Sequence, residues 1–131
     1  MAMRRVVLLS PYAQAVNDHE REFLAEHGIA VVHDVALNVG SSDEYIRIPV
    51  ARWIELAREH AHAPADGFFL SCTNTTQIEA IDTIERETGK PAINSNQATL
   101  WAALRRIPAL GNVPRLPGLG RLFTRMEAAV A

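Results

Sequence analysis

Four short apolar runs, each followed by a longer stretch of helical periodicity, constrain this chain more than any other feature. Val6-Val7-Leu8-Leu9 has no polar alternation and stops at Ser10-Pro11. Such a run is a strand covered on both faces, the habit of parallel sheets. From Tyr12 to Glu26 the apolar Val16, Phe23 and Leu24 are interleaved with Asp18, Glu20, Arg21, Glu22 and Glu26, and Gly28 follows as a stop, which predicts an amphipathic helix. Ile29 to Val32 repeats the buried-strand signature, so the first 33 residues have the length of a right-handed strand, helix, strand crossover.

The same alternation continues. Val39 to Tyr45 carries Gly40, Ser41, Ser42 and Asp43, which is turn chemistry, and Pro49 to His60 places Val50, Trp53, Ile54 and Ala57 at helical spacing. Gly67 to Leu70 is a third strand, Thr75 to Thr88 a third helix closed by Gly89, and Pro91 to Asn94 a fourth strand. Gln97 to Arg106 is a helix with Leu100, Trp101 and Leu104 on its inward face. The predicted fold is α/β: a single three-layer lobe over residues 1–107, with a four-stranded parallel sheet flanked by helices. Residues 108–131 form an irregular Pro/Gly-rich arm in which only Leu119 to Val130 has the composition of a last, short helix.

Composition narrows the function classes. A chain of 131 residues, 48% hydrophobic and 21% charged, suits one domain and excludes a second of full size. Thirteen basic against fifteen acidic residues give a charge of −2, with no basic block to follow a phosphate backbone, so nucleic acid is not an expected partner. No apolar stretch approaches the ~20 residues that span a bilayer, so no membrane partner is expected. The lone cysteine, Cys72, excludes an internal disulfide and any zinc site built on repeated Cys pairs, and a cytoplasmic location fits it best.

In an open parallel sheet the ligand crevice lies at the carboxyl ends of the strands. That rule selects Ser10, Pro11, Tyr12 and Asn17 after the first strand, Ser71, Cys72, Thr73, Asn74 and Thr75 after the third, and Asn94, Ser95 and Asn96 after the fourth. The second strand ends in His33-Asp34 and leads to the 40–45 loop, a candidate lid. Cys72 follows a strand directly and sits near a predicted helix start, where the dipole and free N–H groups favour a thiolate and an anion; the competing reading is a buried small hydrophobe. Tyr12 either caps a helix or orients a carboxylate through its hydroxyl. His60-Ala61-His62 are two apart and do not share a helix face, so no metal site is expected there.

Gly67-Phe-Phe-Leu-Ser-Cys-Thr-Asn74, then Gly89-Lys-Pro91, then Asn94-Ser-Asn-Gln-Ala-Thr-Leu-Trp101 resemble the carboxyl-terminal lobe of the aspartate/glutamate racemase superfamily. Within it, the maleate cis-trans isomerase and arylmalonate decarboxylase branch is the most similar, and Val7-Leu-Leu-Ser-Pro-Tyr12 with Asn17 resembles the opening of that lobe. The resemblance implies two pseudo-symmetric lobes, one cysteine from each, an active site in the cleft between them, and no metal or organic cofactor. It implies that Cys72 delivers or removes a proton at a substrate carbon and that Tyr12 contacts a substrate carboxylate. Thr73, Asn74 and Ser10 would line the anion pocket, with Asn17 and Asn94 beside them as substrate-binding residues.

The chain departs from that pattern in two ways. The first lobe and its cysteine are absent, and Asp43-Glu44 stands where the isomerase branch tends to have Asp-Asn; an inward Glu44 would repel a dicarboxylate. The expectation is therefore a cofactor-independent isomerase, racemase or decarboxylase of a small mono- or dicarboxylate. Its second lobe would come from another chain, a homo-oligomer partner or a separate first-lobe protein. The alternative is a non-catalytic lobe acting as a small-carboxylate binding or assembly module.

Overall fold

The computed structural model describes residues 2–124. In chain order the elements are β1 (Arg5–Ser10), α1 (Gln14–Glu26), β2 (Ala30–Ala36), α2 (Ser42–Tyr45), α3 (Val50–Glu59), β3 (Gly67–Leu70), α4 (Ile81–Thr88), β4 (Ala92–Asn94), α5 (Ser95–Leu104) and α6 (Arg121–Thr124), with single 3-10 turns at Gln77–Ala80 and Pro108–Leu110. The four strands form one parallel sheet in the order β2-β1-β3-β4. The α/β lobe with a four-stranded parallel sheet flanked by helices is the fold expected from the alternation.

Because successive side chains of a strand point to opposite faces, β1 feeds two cores. Val7 and Leu9 lie level with Phe68 and Leu70 of β3, on the face covered by Trp53, Leu56 and Ala57 of α3 and Ile81 and Ile84 of α4. This face holds the main core. Val6 and Leu8 turn the other way, to a smaller cluster with Val31, Leu24, Ile29 and Phe69 under α1. Gly67 is required at the start of β3, where a Cβ would stand 2.5 Å from the Pro91 carbonyl oxygen of the neighbouring strand.

Four elements differ from expectation. β2 is an edge strand paired on one side only, and of its first four residues only Val31 is buried, so its apolar run does not make a strand covered on both faces. On α1 the predicted apolar stripe is wrong: Val16 and Phe23 are exposed, and the residues turned to the sheet are Asn17, Glu20, Arg21 and Leu24, spaced i, i+3, i+4, i+7. On α5, Leu100 is exposed and Trp101 and Leu104 are half-buried; the buried residue is Gln97, while Arg105 stacks over the Trp101 ring. The helix expected from Thr75 begins later, as a 3-10 turn at Gln77 and then α4 at Ile81, because Thr75 to Thr76 are spent closing the loop that carries Cys72.

The arm folds back on its own lobe. Gln97 Nε2 donates to the Leu119 carbonyl at 2.6 Å, Gly120 N–H to Asp82 Oδ1 at 2.8 Å, and Arg121 N–H to Glu85 Oε2 at 2.8 Å. Phe123 is buried beneath it. Gly120 has φ 70°, and a Cβ there would meet Ile81 Cγ2 at 2.6 Å, so both its backbone and its space demand glycine. Of the helix expected over residues 119–130, Arg121–Thr124 is seen and the remainder lies outside the described residues.

Candidate active site

The carboxyl edge of the sheet is braced by polar side chains that the fold itself consumes. Ser10, at the end of β1, donates its hydroxyl to Asn17 Oδ1 and accepts the Tyr12 N–H at 3.3 Å. Asn17 Nδ2 in turn donates to Asp34 Oδ2 at 3.0 Å, and Asp34 also takes bonds from Gln14 and Arg21. Burial alone would raise the Asp34 carboxyl, but the bonds from Gln14 and Asn17 and the Arg21 charge outweigh it and hold the group below its ordinary range. Ser10 and Asn17 are fully buried, so they hold the floor of the site together rather than presenting polar atoms to a ligand. Asn94 is likewise buried; its Oδ1 accepts the Gln97 N–H at 2.9 Å while Gln97 Oε1 takes the Asn94 N–H at 2.8 Å, a capping box that starts α5 directly at the end of β4.

Cys72 stands two residues beyond β3, buried, with φ 125°. That conformation is adopted freely by glycine and costs an L side chain of the order of 1–3 kcal/mol. Surrounding bonds impose it: the Cys72 N–H donates to Ser95 Oγ at 3.2 Å, the preceding Ser71 N–H to the Leu9 carbonyl at 2.9 Å, and Gln77 Nε2 holds the Ser71 carbonyl at 3.1 Å. The result aims the sulfur back into the turn, where the Asn74 N–H donates to Sγ at 3.4 Å. The expected helix start at Cys72 is thus replaced by a single turn amide, because the first helical residues follow five positions later.

Tyr12 is half-buried, its phenol near Cys72 and Ser71. Burial first, then the hydrogen bond and charge of Cys72 and the charge of Glu20, push the phenol well above its ordinary value, with Ser71 opposing. Tyr12 packs edge-on against Tyr45 of α2, ring centroids 5.7 Å apart. The 40–45 segment is tied over the site by Asn74 Nδ2, which donates to the Ser42 carbonyl at 2.7 Å. Asn96 ties the opposite side, its Nδ2 donating to the Thr73 carbonyl at 3.1 Å. Thr73 and Asn74 are exposed at the rim, and Glu44 is exposed beside Gly40. The structure therefore gathers Tyr12, Cys72, Thr73 and Asn74 at the carboxyl edge of the sheet, with the buried Ser10, Asn17 and Asn94 at the same edge.

One residue of this cluster escaped sequence reasoning. Glu20 reaches from α1 to accept the hydroxyl of Ser71, the neighbour of Cys72, and its second oxygen is buried without a partner. In the sequence it is one of five charges on a helix that looks solvated; its spacing of three from Asn17 was the only signal. His33 is exposed and stacks on His60 at 4.5 Å, away from any cluster. Among the described residues no group of three or more His, Cys, Asp or Glu is placed to hold a metal ion, and no helix is long and apolar enough to cross a membrane. What this edge offers chemically is a thiol on a strained backbone, a phenol and exposed hydroxyl and amide groups, the components of proton transfer or nucleophilic attack at a small polar substrate.

Comparison with known proteins agrees with this fold. The family model described as arylmalonate decarboxylase matches residues 1–123. The arylmalonate decarboxylase of Bordetella bronchiseptica is 34% identical over 94% of this chain and 51% of its own length. The maleate isomerase of Nocardia farcinica is 27% identical over 98% of this chain and 50% of its own. Among solved structures, unliganded arylmalonate decarboxylase superposes with a TM-score of 0.79 at 34% identity, covering 92% of this chain and 53% of that one. A cysteine-to-serine mutant of the Nocardia farcinica maleate cis-trans isomerase with a covalently bound succinylcysteine intermediate gives 0.84 at 25% identity, covering 93% and 49%. The chain spans about half the length of the curated relatives it matches. It belongs to the arylmalonate decarboxylase family.

Proposed function

We propose that this lobe carries out thiol-dependent, cofactor-independent chemistry on a small carboxylate, as an isomerase, racemase or decarboxylase completed by a second lobe from another chain. The observation that carries the reading is Cys72: a buried cysteine held at φ 125° with a backbone N–H on its sulfur and the Tyr12 hydroxyl beside it. Strain of this kind persists where function selects it. Tyr12, Thr73 and Asn74 are then the groups that meet the substrate carboxylate, and Cys72 is the group that exchanges a proton with, or adds to, its carbon.

The surface supports the second chain. An apolar groove of about 270 Å³ lined by Met3, Val6, Leu24, Ile29, Phe69 and Ile93 opens on the α1 face of the sheet, and Phe23, Leu100, Ile107 and Leu110 are exposed. These are the apolar positions that a second chain would cover in the proposed assembly. In the homodimer version, two-fold pairing brings two Cys72 residues to one ligand.

Incubation with an arylmalonate and with maleate in D2O, followed by proton NMR, tests the proposal. Conversion or deuterium incorporation that disappears in Cys72→Ser is expected; a Cys72→Ser protein that retains full turnover in the assembled state would sink it. The single thiol of this chain and its span of about half the relatives' length favour one other reading, a carboxylate-binding or assembly module, and carboxylate binding without turnover at every protein concentration would select that reading instead.

A further inference from the structure

We propose that the open half of the sheet's α1 face is a docking surface for helix α5 of a second copy of this chain, so that two copies pair reciprocally, α1 of each against α5 of the other. The inference rests on the second chain of the proposed function and names the surface through which it joins.

The surface has a floor and a wall. On this face α1 lies over β1 and β2, where Leu24 meets Val6, Leu8 and Val31. The floor is the remaining half: Phe69 of β3 and Ile93 of β4 are paired side by side and line the 270 Å³ groove. The wall is one flank of α1. Arg21 reaches Asp34 and the Val31 carbonyl of β2, whereas Glu20 reaches Ser71 beyond β3, so the flank of Glu20 faces the groove. Val16 and Phe23 lie four residues before and three after Glu20, which puts them on that same flank. Phe23 is 59% exposed there.

The occupant is argued from charge and from what α5 leaves unused. Only Gln97 of α5 is buried in its own lobe; Leu100 is exposed, Leu104 one turn on is half-buried, and Ile107 in the turn that follows is exposed. From Ser95 to Ile107 the only charged residues are Arg105 and Arg106. Helix α1 has the opposite sign, with Asp18, Glu20, Glu22 and Glu26 against Arg21, which is spent on Asp34. Glu22 and Glu26 are exposed beside Phe23, and among the described residues Glu26, Arg105 and Arg106 form no ion pair. An apolar helix ending in two arginines thus matches an apolar groove walled by an acidic helix. Each copy carries both halves, so a two-fold axis makes the contact twice and closes the pair. Helix α5 also holds the Cys72 turn, through Ser95 Oγ on the Cys72 N–H at 3.2 Å and Asn96 Nδ2 on the Thr73 carbonyl at 3.1 Å, so pairing fixes the element on which that turn leans.

The experiment is sedimentation equilibrium of the full chain, which needs no substrate. The parent is expected to dimerise with concentration. Glu22→Arg with Glu26→Arg, and separately Arg105→Glu with Arg106→Glu, are each expected to raise the dissociation constant about tenfold or more, because like charges then face each other. Mixing the two variants is expected to restore dimers near the parent's constant, since opposite signs meet again at both contacts. Phe23→Ser and Leu100→Ser, at positions exposed in the lobe, are expected to weaken the dimer while the urea midpoint of the dissociated lobe stays that of the parent. A parent that is monomeric at every concentration, charge variants that dimerise as the parent does, or a mixture no tighter than either variant alone would overturn the proposal. A parent dimer that responds to these substitutions but turns over no substrate supports the docking surface and counts against the catalytic reading alone.

Discussion

Cys72 carries the site's tension in its own backbone. A residue at φ 125° loses stability that glycine would keep, about 1–3 kcal/mol, while truncating the small buried side chain forfeits about 1 kcal/mol of burial. Cys72→Gly is therefore expected to unfold at a urea concentration equal to or above that of the parent while losing all thiol-dependent activity; a clear loss of stability would show that the conformation is not strained. Asn94→Ala is expected to cost about 1 kcal/mol in the same assay, because it removes the cap of α5. At this scale the sequence was legible where position alone decides chemistry. Cys72, Tyr12, Thr73 and Asn74 follow strand ends and could be chosen from that rule. Glu20 could not, since a glutamate among Asp18, Arg21 and Glu22 has the pattern of a solvated helix face and its partner Ser71 lies 51 positions away.

The elements show the same division. Strands β1, β3 and β4 were legible because buried parallel strands are apolar without alternation, and β3 ends where it was expected to, at Leu70. Helix α1 was legible in existence and not in orientation. Its inward face is polar because it roofs the carboxyl edge, where Asn17 and Arg21 answer Asp34 and Glu20 answers Ser71. Asp34 supplies a pH signature. A carboxyl held below its ordinary value of 3.8 adds stability that is fully present above that value and is lost as pH falls through the depressed one. The acid limb of urea stability is expected to be shallower in Asp34→Asn than in the parent, and identical limbs would remove the claim. The arm makes its own prediction. Gly120→Ala must displace Ile81 and accept φ 70°, so it is expected to release α6 from α4 and destabilise by about 1–3 kcal/mol, visible as faster amide exchange at Gly120 and Arg121 with the β1 amides still protected.

At the scale of the whole molecule, the described residues form one lobe around a four-stranded parallel sheet, and a second lobe belongs to the proposed function. The sheet has its order, its two cores and its arm, whereas relatives in the arylmalonate decarboxylase family are about twice as long. Two of the departures from sequence expectation are exposed apolar positions, Val16 and Phe23 on α1 and Leu100 on α5, which the proposed function assigns to contact with a second chain. Apolar residues at helical spacing predict that a face is apolar, and periodicity alone does not say what that face packs against. The most direct test is the rate of arylmalonate and maleate conversion per chain as a function of protein concentration, measured beside the sedimentation state, for the parent and for Cys72→Ser. The proposed mechanism predicts turnover that rises as chains associate, or on addition of a first-lobe chain, and that vanishes in Cys72→Ser; equal turnover in the two proteins, or a rate per chain independent of association, would contradict it.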